Sequence, residues 1–543
     1  MPPIPWIKPL NCTKEGPPCW GAKSKPYQVE GDFDCLHINV FTNNIHPETP
    51  FSVMVWIHGG GWMLDSSTTK LYGPDYLVDK NVTVVTLNYR LGAFGFLSLD
   101  DEALNVPGNQ AFKDQRLALK WIQRNIANFG GDPSSVTLFG QSAGAGSVHY
   151  HMISEGSRDL FHQGILMAGS AFQHGYSWIP RRDWAHKLAV KLGFKSKSDG
   201  EVLKFLESAN PKEIVENQMQ MLNFKDMMNE GFGMAFGPTV EPYRTPGIFL
   251  DDEISTLVQN GWGNNISIMI GATSFAGLES YSDVRNPLFW SLFSNFENYI
   301  PRELDLPKGS KKSKIFARML KRQYYGQNQP TINDTDGILQ VVDDLYLWFP
   351  AHRTVRNRLE SGSNASTFVY RFDADSENNV FKILMMKDNP ELKHYREPMH
   401  GDDFAHIFKS VHHKPLKEMN QASYNTLQLM VTLFTNFACE GQPSADGVEF
   451  FPSVHELNLD ANVYLYGLNI QENGTQLRLL PEATRIKTFH EIFFHSAMNK
   501  QKNGTENDFY LEYQEADLSA AIGLNGVMAI ELTLLLVIGY FVF

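Results

Sequence analysis

The sequence predicts an α/β protein built on a large, mostly parallel sheet with helices on both faces. Three observations carry that expectation. Short, continuous apolar runs recur along the chain, at Phe51–Ile57, 82–89, 163–168, 266–271 and Thr367–Phe372. Runs without in–out alternation are the mark of strands buried on both faces, as in parallel sheets. Between two of these runs, 109–125 carries a helical stripe of Ala118, Trp121 and Ile122, continued at Ile126 and closed by Phe129-Gly130-Gly131-Asp132-Pro133. Third, Val136-Thr137-Leu138-Phe139 leads straight into Gly140-Gln141-Ser142-Ala143-Gly144, and a helix-compatible segment follows.

That last stretch organises the rest. A serine at a sharp strand-to-helix turn sits in strained backbone, and its glycine neighbours let the turn close. The turn presents the Ser142 hydroxyl at the top of the sheet and sets the Ala143 amide at the mouth of a helix. Free N–H groups there can face a developing oxyanion. The strand Phe51–Ile57 ends in His58-Gly59-Gly60-Gly61-Trp62. Three consecutive glycines let backbone amides approach a ligand closely, and beside Ser142 they read as the second half of an oxyanion hole.

Bulk properties narrow the field. Composition is ordinary globular, without repeats or low-complexity tracts, and the formal net charge is −13. That balance argues against nucleic acid as a partner, because phosphate binding needs a basic face. Cys12, Cys19 and Cys35 cluster near the start, so one short-loop disulfide is expected among them, with Cys439 a buried free thiol. Asn11, Asn81, Asn265, Asn333, Asn364, Asn473 and Asn503 each head an Asn-x-Ser/Thr triplet. Seven such triplets point to the secretory pathway and an extracellular or cell-surface glycoprotein. The first residues lack a charged start and an apolar run, so no signal peptide is present in the given chain. An incomplete N-terminus is expected.

Farther along, 181–240 turns helical and polar, consistent with helices covering the sheet edge and the site. The segment 423–439 is an amphipathic helix ended by Gly441 and Pro443. His490 and His495 are five apart and miss the spacing of a zinc-binding helix pair. The glycines of 231–237 are off the dinucleotide-binding spacing, and His149 and His151 would face different sides of a helix. No metal and no cofactor is expected.

Enough residues now stand together to identify a family. The chain resembles the type-B carboxylesterases, the cholinesterase-related branch of the α/β-hydrolases, and within them insect detoxification esterases of the alpha-esterase kind. The likeness runs from about Pro5 to about Phe494. It rests on Asp34-Cys35-Leu36, Val55-Trp56-Ile57-His58-Gly59-Gly60-Gly61, Asn88-Tyr89-Arg90-Leu91-Gly92, Gly108-Asn109, 128–133 and the Ser142 turn. The resemblance implies an α/β-hydrolase fold and hydrolysis of a small-molecule ester. It assigns Ser142 as nucleophile, Gly60, Gly61 and Ala143 as oxyanion-hole donors, and His400 in Met399-His400-Gly401-Asp402-Asp403 as general base. It also implies a Cys19–Cys35 disulfide, and an upstream signal peptide and opening strands absent here. Gln141 stands where many relatives have Glu, a position at which related esterases vary.

One position departs seriously. The family places the triad acid just after a core strand, in Thr-Ser-x-Glu-Gly. Here that reads Thr273-Ser274-Phe275-Ala276-Gly277, so the triad acid is missing at Ala276. Glu279 is the nearby substitute, on the same face if a helix starts at Gly277. A serine esterase of reduced activity is the leading expectation. The alternative is an esterase fold kept for binding, as a ligand-sequestering or adhesion protein.

The expected organisation is a catalytic domain over 1–497, a polar linker over 498–518 and a hydrophobic segment over 519–543. The final apolar run has no basic residue after it, and Glu531 inside it would cost roughly 2–4 kcal/mol at mid-bilayer. A small-residue triplet, a spacer and an apolar end fit a cleaved lipid-anchor signal. A transmembrane anchor and an end helix packed on the enzyme are the alternatives, and membrane association follows from the first two.

Overall fold

The computed structural model describes residues 8–22, 28–173, 183–221, 235–448, 451–457 and 465–501. A two-stranded ribbon near the start pairs β1 (Gly21–Ala22) with β2 (Val29–Glu30). The central sheet has nine strands: β3 (Ile38–Phe41), β4 (Phe51–Ile57), β5 (Thr83–Leu87), β6 (Gly131–Gln141), β7 (Gln163–Met167), β8 (Ser267–Thr273), β9 (Thr367–Phe372), β10 (Tyr466–Gln471) and β11 (Gly474–Leu479). Their order is β11-β10-β9-β8-β7-β6-β4-β5-β3. Every pairing from β5 to β10 is parallel, and only the edge strands β3 and β11 run antiparallel to their neighbours. The expected mostly parallel sheet is therefore present.

The apolar runs become its interior because both faces are covered. Gly164 on β7 faces the helix Ala143–Ile153, where a Cβ would meet Val148 and Met152. Ile165, one residue on, lies in the core with Leu427, Met430 and Phe434 of the helix Gln421–Glu440. Successive strand residues thus bury against helices on opposite faces. The helix Gln110–Asn125 also forms as its stripe predicts, burying Ala118, Leu119 and Ile122. Between 183 and 218 the chain folds into three helices, Trp184–Lys191, Asp199–Ser208 and Pro211–Gln218. The rest of the segment expected to be helical and polar falls partly on 222–234, outside the described residues.

Cys19 and Cys35 are bonded, and Cys12 and Cys439 are free. Cys439 is exposed, which corrects its expected burial. It sits at the end of the helix Gln421–Glu440, just beyond the last buried turn of Phe437 and Ala438. The asparagines of six triplets, Asn11, Asn81, Asn265, Asn333, Asn364 and Asn473, are all exposed. Asn503 and the C-terminal segment 502–543 lie outside the described residues. Among the described residues, no helix is long and apolar enough to cross a membrane. Among the described residues, those up to Phe489 form one compact unit.

Candidate active site

Ser142 joins β6 to the helix Ala143–Ile153 with φ 57° and ψ −123°, a conformation an L-residue adopts only under constraint. The constraint is visible. The Ser142 amide donates to Met167 O on β7 (2.8 Å), and Ser142 O accepts from Gly146 N (2.9 Å), starting the helix at once. A Cβ on Gly144 would stand 2.1 Å from Ile57 O, so only glycine lets the elbow helix press this closely on the end of β4. The strand-to-helix turn at Ser142 is legible in the sequence because these requirements are local.

The same close approach sets the glycine loop against the elbow. A Cβ on Gly59 would meet Gln141 O at 2.7 Å and Ser142 Cβ at 3.2 Å. Gly60 and Gly61 both take positive φ, 89° and 61°. Their turn is closed by Met63 N and Leu64 N donating to Gly60 O. From beneath, Tyr89 stacks on His58 at 4.4 Å and its hydroxyl donates to His58 O (2.8 Å). Tyr72 donates to Asp65 at the far end of the loop. Among the described residues, the Gly60, Gly61 and Ala143 amides have no backbone acceptor. Amides left without a backbone acceptor are the kind of donor an oxyanion needs.

His400 reaches this site from a loop after β9. The loop is held by Asp402, whose Oδ2 accepts from Met399 N (2.9 Å) and whose Oδ1 accepts from Phe381 N (2.9 Å). Burial pushes the Asp402 carboxyl up to about 7 against those N–H donors. Asp403 is buried too and accepts from the Tyr370 hydroxyl (2.8 Å). His400 Nε2 lies 3.0 Å from Gln141 Nε2. An amide NH₂ only donates, so His400 Nε2 is the acceptor and the ring proton sits on Nδ1. That is the tautomer a general base requires, and its lone pair faces the amide of the residue before Ser142. Gln141, set aside by the sequence reading as a variable position, is thus the residue His400 touches.

The acid position is a different matter. Ser274 N donates to Phe372 O (2.8 Å) and Phe275 N donates to Pro398 O (3.3 Å), tying the loop 273–277 to the histidine loop. Ala276 is buried in that loop. Glu279 lies in a 3-10 turn, Ala276–Ser280, and is exposed. Among the described residues, no hydrogen bond joins Glu279 to His400, although a 3-10 turn brings residues three apart onto one face.

A second buried carboxyl lies on the other flank of this loop. The helix Asp336–Asp343 packs on Gly277, where a Cβ would meet Leu339 O at 2.1 Å and Asp343 Cβ at 3.2 Å. Asp343 is 1% exposed, and among the described residues neither of its oxygens has a hydrogen-bond partner. Burial, helped by the adjacent Asp344, holds its carboxyl well above the usual carboxylate range.

The comparisons with known proteins agree with this geometry. The carboxylesterase family model matches residues 1–488. Esterase B1 of Culex pipiens is 37% identical over 502 residues, covering 92% of this chain and 91% of its own. A juvenile hormone esterase of Heliothis virescens is 30% identical over 468 residues, 81% of this chain and 78% of its own. Juvenile hormone esterase from Manduca sexta, solved with OTFP covalently attached, superposes with a TM-score of 0.77 at 25% identity over 91% of each chain. With an α/β-hydrolase sheet, a strained serine at its elbow and this likeness along nearly its whole length, the chain belongs to the carboxylesterase family of ester hydrolases.

Proposed function

We infer that the protein hydrolyses small carboxylic esters through an acyl-enzyme on Ser142, at a rate limited by the missing acid at Ala276. His400 Nε2 takes the Ser142 proton as Oγ attacks the ester carbonyl carbon. The oxyanion accepts from the amides of Gly60, Gly61 and Ala143. Collapse breaks the bond to the alkoxy group, which leaves as the alcohol with the proton from His400. Water, deprotonated by the same histidine, then releases the carboxylic acid and restores Ser142.

The observation that carries this reading is the strained Ser142 backbone beside unspent amides, with His400 one residue away at Gln141. A binding protein has no use for such strain, whose upkeep costs of order 1–3 kcal/mol. The second reading, a ligand-sequestering or adhesion role, draws on Ala276 alone. Labelling with a fluorophosphonate tests the choice. Stoichiometric modification that Ser142→Ala abolishes is expected, and an unlabelled parent would hand the case to the binding role. The exposed triplets and the disulfide support an extracellular glycoprotein, and deglycosylation of secreted material followed by mass measurement checks it.

A further inference from the structure

Losing the triad acid leaves the imidazolium of the reaction without its usual counter-charge, since the histidine takes up a proton in both halves of the cycle. We propose that Asp403, three residues beyond His400, supplies that counter-charge, a positioning residue that acts through His400 and takes over part of the task vacated at Ala276. The inference rests on the esterase reading above.

His400 and Asp403 stand at the two ends of one tight turn. Gly401 folds the chain back with φ 89°, and Asp402 N donates to Met399 O (3.1 Å). The Asp403 side chain is held at both oxygens. Oδ1 accepts from Phe404 N (3.0 Å), capping the short 3-10 turn Phe404–His406, and Oδ2 accepts from the Tyr370 hydroxyl (2.8 Å). Tyr370 is anchored in its turn. It pairs with Gly271 on β8, where a Cβ would run into the Tyr370 ring and carbonyl. Glycine in a strand interior costs stability, and here it makes room for the ring that holds the carboxyl.

Asp403 is fully buried, and among the described residues its hydrogen bonds come from two neutral donors. Burial pushes its carboxyl up, while the Tyr370 hydroxyl and the charge of His400 draw it back down. A purely structural role would be met by asparagine, whose amide oxygen caps a turn and accepts from a phenol without a buried charge. Charge is the property asparagine lacks, and His400 is a group on which that charge acts. The imidazole is cationic only while it holds the transferred proton, so the attraction is stronger in the transition state than before it. Among the described residues no hydrogen bond joins the two side chains, and Gln141 is what His400 touches. A group acting by charge alone replaces a triad acid only in part, consistent with a slow enzyme. Asp402 on the same turn, pushed up to about 7, and Lys382, which acts on Asp402, are its charged neighbours, and burial pulls His406 down to about 3.

Asp403→Asn removes the charge and keeps the shape. The expected result is a thermal midpoint equal to or above the parent's, with kcat down roughly 10- to 100-fold and KM little changed. The acid limb of the kcat/KM profile reports the essential base of the free enzyme. It should move about one unit to lower pH, because the imidazolium loses an opposite charge. Titration of the His400 ring protons, assigned by their loss in His400→Gln, should show the same displacement with no ester present. Tyr370→Phe is the control, removing one hydrogen bond and leaving the charge, so kcat should stay within about threefold of the parent's. In an Ala276→Glu background Asp403→Asn should cost less, since the restored acid supplies the counter-charge. A limb and ring-proton midpoint that stay put in Asp403→Asn, or a variant that does not fold, would overturn the proposal and leave Asp403 a pin for the turn. A parent that hydrolyses nothing would instead count against the esterase reading, and the ring protons would still decide the role of Asp403.

Discussion

Under the proposed mechanism, the effect of Ala276 can be bounded. Removing the triad acid costs serine hydrolases about 10⁴-fold in turnover, roughly 5–6 kcal/mol of barrier. The oxyanion donors alone supply about 10³-fold or more over water. On the proposed mechanism, Ala276→Glu is expected to raise kcat on a simple aryl ester by about 10²-fold or more. Glu279→Gln should leave it within about twofold, because Glu279 is exposed in its 3-10 turn. The two variants are informative together. A silent Ala276→Glu with a crippling Glu279→Gln would mean that the acid reaches His400 from Glu279 after all. The sequence displays the loss at Ala276 plainly, since it breaks a contiguous motif. Asp343 is a long way off in sequence, and only packing brings it to Gly277.

At the scale of elements, the junction of β4, β6 and the elbow helix positions both halves of the chemistry. Gly144 is the contact point. A Cβ there would press on Ile57 O at 2.1 Å, and Ile57 leads directly into the glycine loop. Gly144→Ala is expected to lower stability by about 1–3 kcal/mol and to abolish fluorophosphonate labelling, because the two backbones must separate. Gly164→Ala is the control. That position is as buried, but its Cβ would make ordinary contacts at 3.4 Å and 3.5 Å with side chains of the same helix. Equal loss of labelling in both variants would mean that the elbow is merely sensitive to any added volume. Legibility divides along the same line. β4 and β9 match their apolar runs residue for residue, since continuous hydrophobic strands announce themselves. The hairpin of β10 and β11 was not assigned from sequence, although its two-residue turn precedes Gly474. There the outer strand is mostly exposed and mixes Leu477 and Leu479 with polar residues, so no continuous apolar run marks it. The helices Lys311–Tyr325 and Asp336–Asp343, which build the flank behind the acid loop, were likewise unassigned.

Across the whole molecule, the sheet is folded around neutral histidines that water would charge. His149, His151 and His406 are fully buried, and burial pulls each down to about 3. His151 shows how neutrality is kept, with Nδ1 against the Ser157 hydroxyl (2.8 Å) and Nε2 against Gln115 Oε1 (3.0 Å). Nothing in the sequence distinguishes these residues from exposed histidines, because their environment is assembled from distant segments. Their folded values lie below the unfolded value near 6.5. Between about 6.5 and about 3 the unfolded chain therefore binds a proton that the native histidine refuses. Acid favours unfolding throughout that window, and the effect is absent above it. Each such group removes about 1.4 kcal/mol of stability per pH unit as the pH falls. A replacement that cannot titrate isolates one of them. His151→Gln loses packing and hydrogen bonds, so it should be less stable than the parent at pH 7. On going to pH 5 its deficit should shrink by about 2 kcal/mol, because the parent alone pays the His151 protonation. Urea unfolding of both proteins at the two pH values measures that difference directly. A deficit that stays constant would show that His151 accepts its proton in the folded protein, and that its burial is less complete than its place between Gln115 and Ser157 implies.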